Sequence, residues 1–89
     1  MTQWRVEFED KARKAITRLS SADQGRLRNF INGRVLSLPD PRMLGTALTG
    51  EFAGLWRYRV GDIRIIARIK HDILLILVVD VGNRGDIYR

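Results

Sequence analysis

From Leu55 to Val79 the chain reads as three strands in succession, and no other stretch constrains the fold as much. Leu55 to Val60 and Ile63 to Ile69 alternate apolar and polar residues, the two-residue period of a strand. Gly61-Asp62 separates them, and a glycine at the first of two turn positions suits a type II′ hairpin. His71-Asp72 forms a second turn, and Ile73 to Val79 is apolar on both faces. That last strand is expected in the sheet interior, covered on both sides.

A two-residue turn fixes the register. Val60 faces Ile63, Tyr58 faces Ile65 and Trp56 faces Ala67, so these six make one apolar face. On the other face Arg59 lies directly opposite Arg64, Arg57 faces Ile66, and Leu55 faces Arg68. Directly opposed side chains sit ~5 Å apart, and like charges there are unfavourable. The hairpin thus gathers Arg57, Arg59, Arg64 and Arg68 on one face with no acidic residue among them. A solvated face, with arginine stems covering apolar atoms, accounts for one or two such residues. It accounts poorly for a directly opposed pair. A polyanion that completes the face accounts for all four, and nucleic-acid binders supply such surfaces.

The rest of the chain supplies what covers the apolar face. Trp4, Val6 and Phe8 alternate with Arg5 and Glu7 as a half-buried strand. Ala12, Ala15, Ile16 and Leu19 recur at helical spacing, which predicts a helix from about Asp10 to Leu19. Ser21 precedes Gln24 at capping-box spacing and predicts the start of a second helix. Leu27, Phe30, Ile31, Val35 and Leu38 are its apolar stripe, with Gly33 weakening its continuity. Pro39-Asp40-Pro41 ends it. Helices joined this closely form an antiparallel hairpin. Residues 42 to 54 read as irregular. The expected architecture is α+β: an N-terminal strand, an antiparallel helix hairpin, and a C-terminal antiparallel meander forming one sheet.

The 89 residues predict a single domain spanning 1–89. No cysteine is present, which excludes a thiol nucleophile and fits a reducing cytoplasm. The N-terminus has no apolar signal core, and no apolar run approaches the ~20 residues that span a bilayer, so no membrane role is expected. Net charge is +6, and every basic residue except Lys11, Lys14 and Lys70 is arginine. Arginine grips phosphate in a planar fork. His71 is the sole histidine, so a two-histidine ribonuclease mechanism is excluded. The carboxylates are scattered without metal-ligand spacing, and there is no GxGxxG, P-loop or GxSxG. No cofactor or metal is expected. Trp4 and Trp56 fall on core faces and read as packing residues.

Leu48-Thr49-Gly50 and the run Leu55-Trp56-Arg57-Tyr58-Arg59-Val60-Gly61-Asp62-Ile63-Arg64-Ile65-Ile66 resemble the central signature of the RelE/ParE toxins. The ending Val81-Gly82-Asn83-Arg84-Gly85-Asp86-Ile87-Tyr88 resembles the family's C-terminal motif. The resemblance covers nearly the whole chain. An arginine and a tyrosine four residues apart resemble the RNA-cleaving, RelE-like branch more specifically. Carried over by position, it implies that Arg59, Arg64, Arg84 and Tyr88 are catalytic and that Arg57 and Arg68 bind substrate. Two positions depart from the pattern. Relatives often carry lysine at 57 and 59, and a basic residue where this chain has Asn83. With Arg89 the last residue, the C-terminal helix of some relatives is not expected.

The resemblance further implies a type II toxin with a RelB-like antitoxin as partner and mRNA, positioned by the ribosome, as substrate. Attack by the 2′-hydroxyl would leave a 2′,3′-cyclic phosphate and a 5′-hydroxyl. Guanidiniums would hold the phosphorane oxygens. Arginine stays protonated, so its presence at 57 and 59 moves proton abstraction to Tyr88, whose phenolate neighbouring arginines would favour. Two alternatives stay open: a ParE-like DNA gyrase inhibitor without nuclease activity, and a noncatalytic basic module that binds RNA or protein.

Overall fold

A computed structural model describes residues 4–83. The chain forms β1 (Arg5–Phe8), α1 (Asp10–Thr17), α2 (Ser21–Phe30), β2 (Thr46–Ala47), β3 (Trp56–Val60), β4 (Ile63–Lys70) and β5 (Leu75–Asn83). The strands make one sheet in the order β1-β5-β4-β3-β2, and the helices cover one of its faces. The expected α+β order holds, with two additions. The first strand joins the meander in parallel, Arg5 beside Leu75 through Phe8 beside Val78, so the sheet is mixed. A two-residue strand inside the segment read as irregular pairs with β3, Thr46 beside Arg57 and Ala47 beside Trp56.

The hairpin register comes out as the turn dictates. Val60 pairs with Ile63, Tyr58 with Ile65 and Trp56 with Ala67. Gly61 adopts φ +58°, the left-handed value that the tight turn requires and that glycine takes without strain. Pairing stops at Trp56, one residue short of the expected Leu55–Arg68 pair. The second turn is longer than expected. His71–Ile73 forms a helical turn and Leu74 takes a left-handed conformation (φ 51°), so β5 begins at Leu75 instead of Ile73 and runs on to Asn83.

The core is Ala12, Leu19, Leu27, Ile31 and Val35 from the helical side against Tyr58, Ile63, Ile65, Ala67, Ile76, Val78 and Val81 from the sheet. Apolar area removed from water stabilises such a layer by ~25 cal/mol per Å². The cap of α2 lies one residue earlier than the sequence spacing predicts. Ser20 Oγ accepts from Asp23 N at 3.1 Å, while Gln24 Nε2 donates to Leu19 O. Past Phe30 the helix widens into a single π-helical turn at Ile31–Val35, closed by Leu36 N donating to Ile31 O at 2.9 Å. Gly33 lies in that turn, where the sequence had weakened the helix.

Two contacts tie the loop after α2 to the rest. Tyr58 Oη donates to Pro41 O at 2.8 Å inside the core. Burial first, then the nearby Asp40 charge, pushes this phenol well above its ordinary pKa, so it remains a donor. Trp4 Nε1 donates to Pro39 O, and His71 packs edge-on against Trp4 with centroids 5.1 Å apart. Asp40 accepts from Arg42 through side chain and backbone and lies 3.6 Å from His71 Nε2. The Arg42 hydrogen bonds hold the Asp40 carboxyl down to about 2. The lone histidine is therefore a surface contact between loops.

Candidate functional site: an arginine face on the sheet

The face turned away from the helices carries the arginines of the β3–β4 hairpin. Arg59 and Arg64 are direct cross-strand partners, as are Arg57 and Ile66. Arg64 is half-buried, and its Nη1 turns back to Gly61 O at 3.2 Å and Ile63 O at 3.4 Å. Arg59 and Arg68 are exposed. The Arg68 guanidinium reaches toward the loop before β3, 3.9 Å from where a Cβ on Gly54 would stand.

Four arginines elsewhere meet carboxylates, while Arg18, Arg28 and Arg34 do not. Arg5 lies 3.9 Å from Glu7, Arg13 3.8 Å from Asp10, Arg26 3.0 Å from Asp23 and Arg42 2.8 Å from Asp40. Among the described residues, Arg57, Arg59, Arg64 and Arg68 have no such partner. Arg57 goes further: its Nε is buried and has no acceptor among the described residues. A buried donor left unpaired costs about 1–3 kcal/mol, and more when charged. An anion on this face would offset the repulsion between Arg59 and Arg64. Forked guanidinium bonds suit phosphate oxygens in particular.

The face is less purely basic than the hairpin alone implies. β5 contributes Asp80, which pairs with Ile66 and so stands in the same cross-strand row as Arg57. Its carboxylate is engaged. Oδ1 accepts from Val81 N at 2.9 Å, and Oδ2 lies 3.3 Å from Lys11 Nζ of α1. Sequence reasoning missed Asp80 because it ended the strand at Val79. The available signal was a lone acid between valines, Val79-Asp80-Val81, which breaks simple alternation. Arg84 and Tyr88, the remaining expected site residues, lie outside the described residues.

A second feature was not legible in advance. Between β1 and α2 runs a groove of about 550 Å³, lined by Trp4, Val6, Phe8, Leu27 and Ile31, with Arg5 and Arg28 also along it. Among the described residues no helix is long and apolar enough to cross a membrane, and no three His, Asp or Glu side chains are grouped to hold a metal.

Comparison with known proteins identifies the family. The model of the ParE toxin of type II toxin-antitoxin systems matches residues 4–88. No curated protein matches the sequence. Among solved structures, the chain is similar to one from the RelBE2 toxin-antitoxin complex of Mycobacterium tuberculosis, at 25% identity and a TM-score of 0.83, covering 91% of this chain and 98% of that one. It is similar to one from the archaeal RelE-RelB complex of Pyrococcus horikoshii, at 28% identity and a TM-score of 0.71, over 97% and 99% of the two chains. The isolated Escherichia coli RelE toxin shares the fold at 17% identity, with a TM-score of 0.73 over 96% of this chain and 88% of that one. With a family model matched along almost its whole length and this fold beneath it, the chain belongs to the RelE/ParE family of type II toxin-antitoxin toxins.

Proposed function

We propose that this toxin is a metal-independent endoribonuclease that cleaves mRNA held on the ribosome, acting in the cytoplasm. The observation that carries the reading is the arginine face, which has no carboxylate partner among the described residues and sets Arg59 directly against Arg64. In the proposed reaction the 2′-oxygen attacks the neighbouring phosphorus as its proton leaves. The bond to the 5′-oxygen then breaks, and that oxygen takes up a proton. The products are a 2′,3′-cyclic phosphate and a 5′-hydroxyl. Arg59, Arg64 and Arg84 hold the charge that builds on the phosphorane oxygens, where preorganised donors act most strongly. Arg57 and Arg68 bind the flanking RNA. The ribosome supplies in-line alignment, which a small open site cannot impose alone.

The test is primer extension on mRNA after induction, together with analysis of the cleaved ends. Discrete breaks with 5′-hydroxyl ends are expected. Intact mRNA with loss of DNA supercoiling activity would instead establish the second reading, a ParE-like gyrase inhibitor. The ParE description of the matching family model favours that alternative.

Tyr88 is assigned a chemical or orienting role beyond stacking, because no lysine stands at 57 or 59 to take the proton. Tyr88→Phe keeps the ring and loses the hydroxyl, whereas Tyr88→Ala loses both. Stacking alone is worth ~1–3 kcal/mol per base. Phe is therefore expected to lose much of the cleavage rate that Ala loses, at similar RNA affinity. Full activity in Tyr88→Phe would reduce the residue to a platform.

The solved relatives from Mycobacterium tuberculosis and Pyrococcus horikoshii come from toxin-antitoxin complexes, and the partner proposed here is a RelB-like antitoxin. A flexible segment can wrap a large surface and order as it binds. Its apolar side chains would fill the groove between β1 and α2, and its acidic side chains would answer Arg5, Arg28 and part of the arginine face. Arg28→Glu and Asn32→Glu alter exposed positions of the groove and spare the core. Each is expected to weaken the complex roughly tenfold, about 1.4 kcal/mol. Added salt should weaken the wild-type complex as well. Calorimetric titration that shows no response to either change removes this picture.

A further inference from the structure

The pairing of β5 with β4 skips a residue. Ile66 pairs with Asp80 and Ala67 with Val78, so Val79 is an extra residue, a β-bulge. The skip decides which side chains face which way. Ile76 and Val78 point at the helices and are buried, and Val81 is buried with them, three residues on instead of two. Strict alternation from Val78 would send Asp80 and Gly82 toward the core and Val81 toward the arginine face. With the bulge, Asp80 pairs with Ile66, and Gly82 stands opposite Arg64.

Bulges re-aim a strand, and each leaves local backbone groups off the regular ladder. Here one carboxylate braces it. Asp80 Oδ1 accepts the Val81 N–H at 2.9 Å, two residues past the skipped Val79. Asp80 Oδ2 lies 3.3 Å from Lys11 Nζ, linking the bulge to α1, which packs on β5. The amide bond is the stronger element. Lys11 is a largely exposed side chain, and an exposed pair of this kind contributes little.

We infer that Asp80 is a positioning residue for the arginine face. By accepting the Val81 amide it holds the bulge that sets Gly82 against Arg64 and fixes the course of the last part of β5. This inference rests on the ribonuclease reading above. Asp80 acts through the backbone and takes no proton from the RNA.

The experiment compares Asp80→Asn, Asp80→Ala and Lys11→Met with the wild type in single-turnover cleavage of mRNA on programmed ribosomes. Hydrogen exchange at the Val81 amide is measured in the same proteins. Asn retains a carbonyl for the Val81 N–H, so Asp80→Asn and Lys11→Met should cleave within about twofold of wild type, the scale of a lost exposed ion pair. Asp80→Ala should lose about tenfold or more in the cleavage step, because small misplacements of reacting groups are costly. Its apparent affinity should change little, and its Val81 amide should exchange faster.

Three results overturn the inference. Wild-type cleavage by Asp80→Ala would show that the brace is unnecessary. Asp80→Asn as inactive as Asp80→Ala, with the acid limb of the pH profile abolished, would make Asp80 a proton acceptor. Slow Val81 exchange in an inactive Asp80→Ala would detach the bulge from the effect. A wild-type protein that cleaves no RNA overturns the ribonuclease reading itself, a different result from any of these.

Discussion

Arg64→Ala and Arg84→Ala are each expected to raise the cleavage barrier by roughly 2–4 kcal/mol, the scale of one lost oxyanion donor. The fold should survive. Arg64 is not among the core residues, and it donates to the carbonyls of its own turn, Gly61 and Ile63, which water can serve instead. Single-turnover cleavage beside a thermal melt separates the two effects. Near-normal rates in both folded variants would remove these residues from the site. Arg59→Ala sharpens the case because Arg59 directly opposes Arg64. Relief of that repulsion should stabilise the protein by about 0.2–1 kcal/mol, while cleavage falls. A variant that gains stability as it loses activity marks a residue kept for function. Arg59→Ala that melts earlier than wild type would contradict the opposed-charge account.

The second large effect is on stability and belongs to Tyr58. The side chain is 2% exposed, packs edge-on against Phe30 at 6.0 Å, and donates to Pro41 O. Gly45 passes so close that a Cβ there would lie 3.3 Å from the Tyr58 and Trp56 rings. The loop is thus laid directly over the ring. Tyr58→Ala should cost about 3–5 kcal/mol, the range for emptying a buried aromatic site. Domains of this size carry only ~5–15 kcal/mol in total, so the variant should be substantially unfolded or melt far below wild type. Tyr58→Phe keeps the packing but strands the Pro41 carbonyl, which costs about 1–3 kcal/mol. At ~4–8 °C per kcal/mol for a domain of this length, the two variants are readily told apart by melting. Equal melting of Tyr58→Phe and wild type would show that the buried hydrogen bond adds nothing.

What the sequence made readable was whatever obeyed a local rule. The β3–β4 register followed from two turn residues and a period of two, and it placed Arg59 opposite Arg64 as observed. Leu27, Ile31 and Val35 followed from helical spacing. The misses came where tertiary demands overrode local pattern. Ser20, not Ser21, caps α2, because both serines offer the same hydroxyl and only the packed helix chooses. The β2 strand is two residues long and has no period to read. β5 starts two residues later than the apolar run and ends four residues beyond it, since Leu74 takes a left-handed conformation unusual for leucine and the bulge disrupts the alternation. The parallel placement of β1 is a long-range choice that no local pattern encodes. Four of the six site residues could be placed on the sheet by register alone. Arg84 and Tyr88 rest on the family resemblance.

That parallel pairing carries a consequence for how the toxin comes into being. Arg5 finds its partner in Leu75, so the first strand to be synthesised waits for the last. Pairings this distant in sequence close late and raise the contact order, which slows folding. Until β5 has emerged, β1 has no neighbour and Val81 is missing from the core. A chain released before Leu75 cannot complete the sheet beneath the arginine face. The topology thus delays the finished sheet until β5 has been translated.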